Sequence, residues 1–336
     1  MQLTALVESP EHVCCRYRVE AFRPFLEPAG CRLEVRPLPG HWWSWLGLRH
    51  QLRGADVVLL QRKLLQSWQL QLLRRAARVL LFDFDDAVFL RDSYSPKGLH
   101  SAARGRRFAA LAAAADGLVA GNTFLRDYAV RCAKARQVHV IPTCVAPDRY
   151  PVADHVEPAG QVQLVWIGSS STLRGLRALQ PLLEELGKRE PRLAFKQICD
   201  RFLPLRHLRT LECPWSEATE AVELAGAHIG ISWLPDDLWS RGKCGLKVLQ
   251  YMAAGLPVVA NPVGVQAEMV RHGETGFLAN SPDEWAEAIL RLAHDPALRR
   301  QLGQAARRRV EGEYGVAVGG RQWLEVLGKV ARRQAA

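Results

Sequence analysis

The stretch "KCGLKVLQYMAAGLPVVANPVGVQAEMV", Lys243 to Val270, decides the fold. It reads as a helix, a Gly-Leu-Pro break, a buried strand, and then a second loop and helix. The run "PVVA" at 257–260 is short, β-branched and bounded by turn residues, as expected for a strand buried on both faces of a parallel sheet. The helix before it carries an odd charge pattern. Lys243, Lys247 and Gln250 are spaced i, i+4, i+7 and would share one face, while Leu246, Leu249 and Ala253 occupy another. A helix start favours negative charge, yet its opening turns hold lysines and no acid. Asp236 and Asp237 just upstream offer one way to neutralise them; a bound anion such as a diphosphate offers the other. Gly242 and Gly245 would let backbone approach such an anion closely.

Outward from this block, apolar runs alternate with helical patterns along all 336 residues, a length that suggests two domains. Strands are expected at 3–7, 33–38, 56–60, 79–84, 117–120 and 138–142, with helices from Ser67 to Arg78, Ser101 to Ala115 and Thr123 to Lys134. Pro147 to Gln161 is rich in Pro, acid and small residues and has no apolar period, which reads as a linker. A second α/β unit follows, with strands at 163–168, 193–198, 229–234 and 257–260. Its helices are expected near 174–187, 216–226, 245–254, 283–294, 297–311 and 319–333. The fold class is α/β, with two Rossmann-like, doubly wound parallel-sheet domains facing a cleft. The expected divisions are an N-terminal Rossmann-like domain at 1–150, a linker at 151–161, a second Rossmann-like domain at 162–315, and a helix at 316–336 packing back on the first domain.

The formal charge of +11 favours anionic partners. Arg307, Arg308, Arg309, Arg332 and Arg333 form either a solvated helix face or a patch that rests on anionic lipid. "HWWSWLGL", His41 to Leu48, is either a buried aromatic cluster or a segment that dips into a membrane interface. No apolar run approaches the roughly 20 residues a spanning helix needs, and "LTALV" follows the N-terminus with no basic region before it. These features point to a cytoplasmic chain, either soluble or peripheral on the inner face of the cytoplasmic membrane. The eight cysteines form no CxxC pair, so free thiols and no metal site are expected. Basic residues lack aromatic interleaving, which argues against a nucleic-acid partner.

Three segments carry candidate chemistry. "WIGSSSTLRGL" ends a strand at Gly168 and leads through Ser169, Ser170 and Ser171 into a helix bearing Arg174, a pattern for cradling phosphate or simply for capping the helix. "CCRYRVEAF" places Arg16 and Arg18 after the first strand, where they could hold a phosphate or form a surface basic pair. "LFDFDDAVFL" puts Asp83, Asp85 and Asp86 at a strand's end. His100 follows at a loop-to-helix transition.

The block Gly245-Leu246, Gln250 to Gly255, Pro257 to Ala260, Glu268-Met269-Val270 and Gly273 to Leu278 resembles the C-terminal half of the retaining group-1 (family 4) glycosyltransferases. Gly168 with Arg174-Gly175, and "VIPTCVAPDRY" before the linker, extend the resemblance backwards. It implies a glycosyltransferase-B fold and transfer of a sugar with retention of configuration. It also implies no cofactor and no obligatory metal, the nucleotide-sugar being a co-substrate and a glycan or lipid-linked molecule the acceptor. Cations and helix dipoles would then stabilise the diphosphate leaving group. On this reading Gly168, Ser169, Ser170, Arg174, Lys243, Gly245, Lys247 and Gln250 bind donor, Arg16 and Arg18 hold acceptor or phosphate, and Asp85, Asp86 and His100 are the catalytic candidates. The departures are Ser169 for an arginine, Lys247 for the proline after Gly-Leu, Gln250 for the ribose-binding glutamate, and no acid near Ser240 to Gly242. Relatives of polysaccharide and lipopolysaccharide assembly share this pattern. The alternative is a weak or inactive nucleotide-sugar-binding relative that acts as a partner protein.

Overall fold

The computed structural model describes residues 1–135, 137–157 and 160–335. Pro158 and Ala159 of the expected linker, Ala336 of the expected C-terminal helix, and the side chain of Arg333 lie outside the described residues. The chain divides into two compact units. The first comprises Met1–Cys144, Asp237–Cys244 and the C-terminal helix Val316–Ala335; the second comprises Val145–Asp236 and Gly245–Gly315.

In the first unit the apolar runs become strands β1 (Gln2–Val7), β2 (Arg32–Pro37), β3 (Val57–Gln61), β4 (Val79–Phe84), β5 (Gly117–Ala120) and β6 (Val138–Val140). They form one sheet in the order β2-β1-β3-β4-β5-β6, with every pairing parallel. Strands β3 and β4 are buried at every position. The two-residue period sends Val58, Leu60, Leu80, Phe82 and Phe84 into one core and Val57, Leu59, Val79 and Leu81 into the other. Helices Trp42–Leu46, Leu48–Gln51, Ser67–Ala76, Ala102–Ala114 and Thr123–Ala133 supply apolar side chains to the first core. Helical turns Val13–Arg18 and Glu20–Phe22 cover the second, together with the C-terminal helix through Trp323, Val326, Leu327 and Val330. Those four buried side chains contribute roughly 2 kcal/mol apiece, enough to hold the helix on this unit.

The second unit carries β7 (Val162–Ile167), β8 (Leu193–Cys199), β9 (Arg209–Pro214), β10 (Ile229–Ser232), β11 (Val258–Ala260) and β12 (Gly276–Leu278). Their order is β12-β11-β10-β7-β8-β9, again all parallel. Strand order reverses between β7 and β10. In open parallel sheets that switch point is where ligands bind, beyond the strands' C-terminal ends. Strands β9 and β12 were not legible as apolar runs. The first is a half-exposed edge strand and the second has only three residues.

The Pro- and acid-rich stretch is not a free linker. Ala153 donates its N–H to the Ala254 carbonyl at 2.9 Å, and the buried His155 ring bonds the Gly255 carbonyl at 3.0 Å. Ala153 and His155 alternate inward from an otherwise polar sequence, so composition concealed the packing. Among the described residues, no helix is long and apolar enough to cross a membrane.

Candidate functional site

At the switch point of the second unit the β7–β10 ladder is confined to Leu164↔Ile229 and Val165↔Gly230. Beyond it the Tyr251 hydroxyl takes over. It accepts the Ile167 N–H at 3.0 Å and donates to the Ile231 carbonyl at 3.2 Å. Burial pushes this phenol well above its usual range. The ring fits because residue 230 is glycine; a Cβ there would lie 2.5 Å from it. Helix Leu246–Ala253, which carries Tyr251, is thereby pinned to the sheet where the strands diverge.

That helix begins at an N-cap, Gly245, with φ +65°, where any Cβ would also meet Met269 Sδ at 2.6 Å. A glycine cap has no side chain to bond the first N–H groups, and the first turn holds no acid. The helix therefore opens at Leu246 with no side-chain cap bond, under the positive end of its dipole. The Lys247 ammonium lies 4.6 Å from the centroid of the Trp166 ring of β7. The same indole abuts Gly168, where a Cβ would come within 2.5 Å of it. Trp166 thus brings the helix start, Lys247 and the Gly168 turn together.

The serine loop after Gly168 is ordered differently from a simple helix cap. The helix starts at Leu173 with Thr172 as N-cap and no side-chain cap bond. Thr172 Oγ1 accepts the Ser169 N–H at 3.1 Å, and Asp200 Oδ1 accepts the Ser170 N–H at 2.6 Å. Hydrogen bonds from Ser170 hold the Asp200 carboxyl at about 2. Two N–H groups of the expected cradle are therefore already engaged. Arg174 is exposed in the first turn of the helix Leu173–Ala178. Gln250 is buried, its amide donating to the Tyr150 hydroxyl at 3.3 Å.

Loops beyond β10 and β11 are locked by a buried network. Ser232 donates to the Gln266 amide oxygen. The Gln266 Nε2 donates to the Asn261 carbonyl at 3.0 Å and to its Oδ1 at 3.1 Å. Asn261 clamps Leu234 by accepting its N–H at 2.9 Å and donating to its carbonyl at 2.6 Å.

Lys243 does not share the helix with Lys247, because the left-handed turn at Gly245 ends the regular spacing. It belongs to the segment Asp237–Cys244 of the first unit. Its ammonium lies 3.2 Å from Asp86 Oδ2 and over the Trp239 ring at 4.5 Å. Asn122 bonds the carbonyls of Gly242 and Lys243 at 3.3 and 3.1 Å, and Gly242 is closed against Ala87. The close approach at Gly242 is to protein.

Asp86 also pairs with Arg62, and Arg62 reaches Asp85 Oδ1 at 3.7 Å and the Cys14 sulfur. This cluster lies beyond the ends of β3 and β4. Burial raises the Asp86 carboxyl against the pull of Lys243 and Arg62. At Asp85, burial is outweighed by Arg62 and Arg18, and its carboxyl is lowered. Burial also pushes the Cys14 thiol far up, making it a poor nucleophile. Arg18 is no phosphate ligand. It is wholly buried, paired with Asp83 and bonded to the Ile141 carbonyl at 2.7 Å. Arg16 is half-buried, bonding the Tyr17 hydroxyl at 3.0 Å. The His100 side chain is exposed and its carbonyl accepts from Arg91. Among the described residues no group of three or more His, Cys, Asp or Glu is arranged to hold a metal ion.

Residues 238–309, which span the helix start, the switch-point tyrosine and the Asn261 and Gln266 side of the locked loops, match the family described as "Glycosyl transferases group 1". Over this segment, 72 of its 336 residues, the chain is similar to the group 1 glycosyl transferases. A D-inositol 3-phosphate glycosyltransferase of Pseudarthrobacter chlorophenolicus is 42% identical over 64 residues, 18% of this chain and 15% of that protein's length. The sucrose-phosphate synthase structure from Thermosynechococcus elongatus superposes with a TM-score of 0.77 at 17% identity, covering 99% of both chains. Anabaena HepE in complex with UDP and glucose gives 0.71 at 16% identity, covering 98% of this chain and 100% of that one. These likenesses show the two-domain glycosyltransferase-B fold.

The structure collects Gly168, Ser169, Ser170, Arg174, Gly245, Lys247 and Gln250 in the second unit, and Arg16, Arg18, Asp85, Asp86, His100 and Lys243 in the first. Sequence reasoning passed over Trp166, Tyr251, Asn261 and Gln266. The signal available was an aromatic or amide set among strand-flanking apolar residues, and its partners lie up to 84 residues away.

Proposed function

We propose that the chain is a retaining, metal-independent glycosyltransferase that moves a sugar from a nucleoside-diphosphate sugar to a glycan or lipid-linked acceptor in cell-surface polysaccharide or lipopolysaccharide assembly. One observation carries the reading: the acid-free, glycine-capped start of helix Leu246–Ala253, with Lys247 held against Trp166 beside Gly168, at the switch point of its sheet. Breaking a glycosidic bond to a diphosphate places negative charge on the leaving oxygens. Fixed N–H dipoles and an ammonium aimed there stabilise that charge without reorganising water. Gln250 stands where the resemblance implies a ribose contact, and an amide retains the capacity to bond a hydroxyl. The UDP and glucose named with HepE make UDP-glucose the first donor to test.

The test is calorimetric binding of UDP, and turnover of a nucleotide-sugar panel, by the parent and by Lys247→Ala. Loss of one charge-assisted contact is expected to weaken UDP binding by about tenfold or more. An unchanged Kd would sink the clamp assignment. UDP binding with no turnover of any donor would favour the binding-partner reading. Product of inverted configuration, or turnover abolished by EDTA, would refute retention or metal independence respectively.

A further inference from the structure

We infer that the outer surface of the helical layer over the first unit's sheet docks on an anionic phospholipid bilayer. Four helical stretches, Trp42–Leu46, Leu48–Gln51, Ser67–Ala76 and Ala102–Ala114, neighbour one another in that layer. None of them contains an Asp or Glu. Their exposed positions instead carry Arg49, His50, Arg75, Arg104, Arg106 and Arg107.

The layer's fifth helix, Thr123–Ala133, carries one acid, Asp127, which is paired with Arg126 at 2.7 Å; at the far end of the four acid-free stretches lies an apolar tip. Trp45 is buried and donates its indole N–H to the Pro39 carbonyl at 3.0 Å, which fixes the short helix on the core. The same anchoring turns Trp42, Trp43 and Leu46 outward, with 65%, 56% and 67% of their surfaces exposed. Trp68, stacked edge-on against Trp45, is 40% exposed beside them. A single exposed apolar residue is ordinary; three on one five-residue helix, bordered by cations, are not. Asp56 and Asp116 flank the layer, and Arg78 and Arg74 face them as ion-pair partners.

The chemistry of the surface selects the occupant. Indoles settle at the depth of lipid headgroups, aliphatic tips such as Leu46 enter the acyl boundary, and guanidinium groups pair with phosphate and carboxylate headgroups. A second copy of the same surface would bring cations against cations. The inference does not rest on the proposed activity, since lipid binding is read without donor or acceptor.

The test is flotation of the full chain with vesicles of phosphatidylcholine alone and of phosphatidylcholine mixed with phosphatidylglycerol, at physiological salt. Binding to the mixed vesicles is expected to exceed binding to the neutral ones by about tenfold or more. Each basic residue near such a surface is worth about a fivefold gain in partition. The triple variant Arg75→Glu, Arg106→Glu, Arg107→Glu is therefore expected to lose about 100-fold. The variant Trp42→Ser, Trp43→Ser, Leu46→Ser is expected to lose about tenfold or more. All six side chains are exposed, so both variants should melt with the parent. Equal binding to neutral vesicles, no binding at all, or parental binding by either variant would overturn the inference. So would a dimer in solution that the tryptophan variant dissociates, because the surface would then belong to a second copy.

Discussion

Replacing Tyr251 by phenylalanine removes one oxygen from the switch point of the second unit and leaves the ring in place. That oxygen serves two buried backbone groups, the Ile167 N–H at 3.0 Å and the Ile231 carbonyl at 3.2 Å. Both residues are core, at 4% and 0% exposure, so water does not replace the lost partner. Leaving a buried polar group unsatisfied costs about 1–3 kcal/mol. Two such groups set the expected loss at about 2–4 kcal/mol, after allowing for the hydroxyl that no longer needs burying. Urea denaturation followed by circular dichroism should show the second unit's midpoint falling by about 1 M, with an unchanged slope. Hydrogen exchange at the Ile167 amide should accelerate as its protection is lost. Because Gly168 follows Ile167 directly, UDP binding should weaken in the same variant. A stability loss under about 0.5 kcal/mol, with parental exchange at Ile167, would refute the claim that this hydroxyl replaces the ladder.

Three further outcomes are expected. Gly303 lies within the helix Pro296–Arg309, where helix propensity alone predicts that alanine stabilises by about 1 kcal/mol. Its Cβ would lie 1.9 Å from the Gly255 carbonyl oxygen, so Gly303→Ala should instead destabilise by about 2 kcal/mol or more, and a raised Tm would contradict this. His155 is held neutral by burial, its pKa lowered to about 4 from an ordinary value near 6.5. A depressed histidine pKa means that the unfolded chain takes up the proton first. The stability it supplies is thus full above about pH 6.5 and falls by about 3 kcal/mol toward pH 4, a slope that His155→Gln should flatten in a urea-midpoint series across that range. Asp86→Asn, which leaves Lys243 and Arg62 short of a carboxylate, should cost about 1–3 kcal/mol of stability, the cations being partly exposed; parental stability with turnover lost by orders of magnitude would mark Asp86 as catalytic instead.

Much of this fold was legible because buried parallel strands write themselves as short apolar runs. All six strands of the first sheet and four of the second were expected within a few residues of their observed bounds. The helix starting near Gly245, and the absence of any acid to offset its first lysine, were equally plain. What periodicity assumes is regular geometry. The i, i+4 spacing of Lys243 and Lys247 presumed a helix through both, and a left-handed glycine between them sends the two ammonium groups to different units. Composition likewise misread 151–161, where two inward residues are enough to fasten a polar stretch.

Sequence alone therefore determined the class of the fold, which follows from local hydrophobic period, and a contiguous motif nominated Gly168 and the helix after Gly245 as candidates. Only the tertiary structure decided which charges are already spent. Arg18 goes to Asp83, Lys243 and Arg62 go to Asp86, and Asp200 takes the Ser170 N–H. The physical reason is that an ionic or polar group, above all a buried one such as Arg18, finds its partner in space, and the partner's distance along the chain places no limit on that choice.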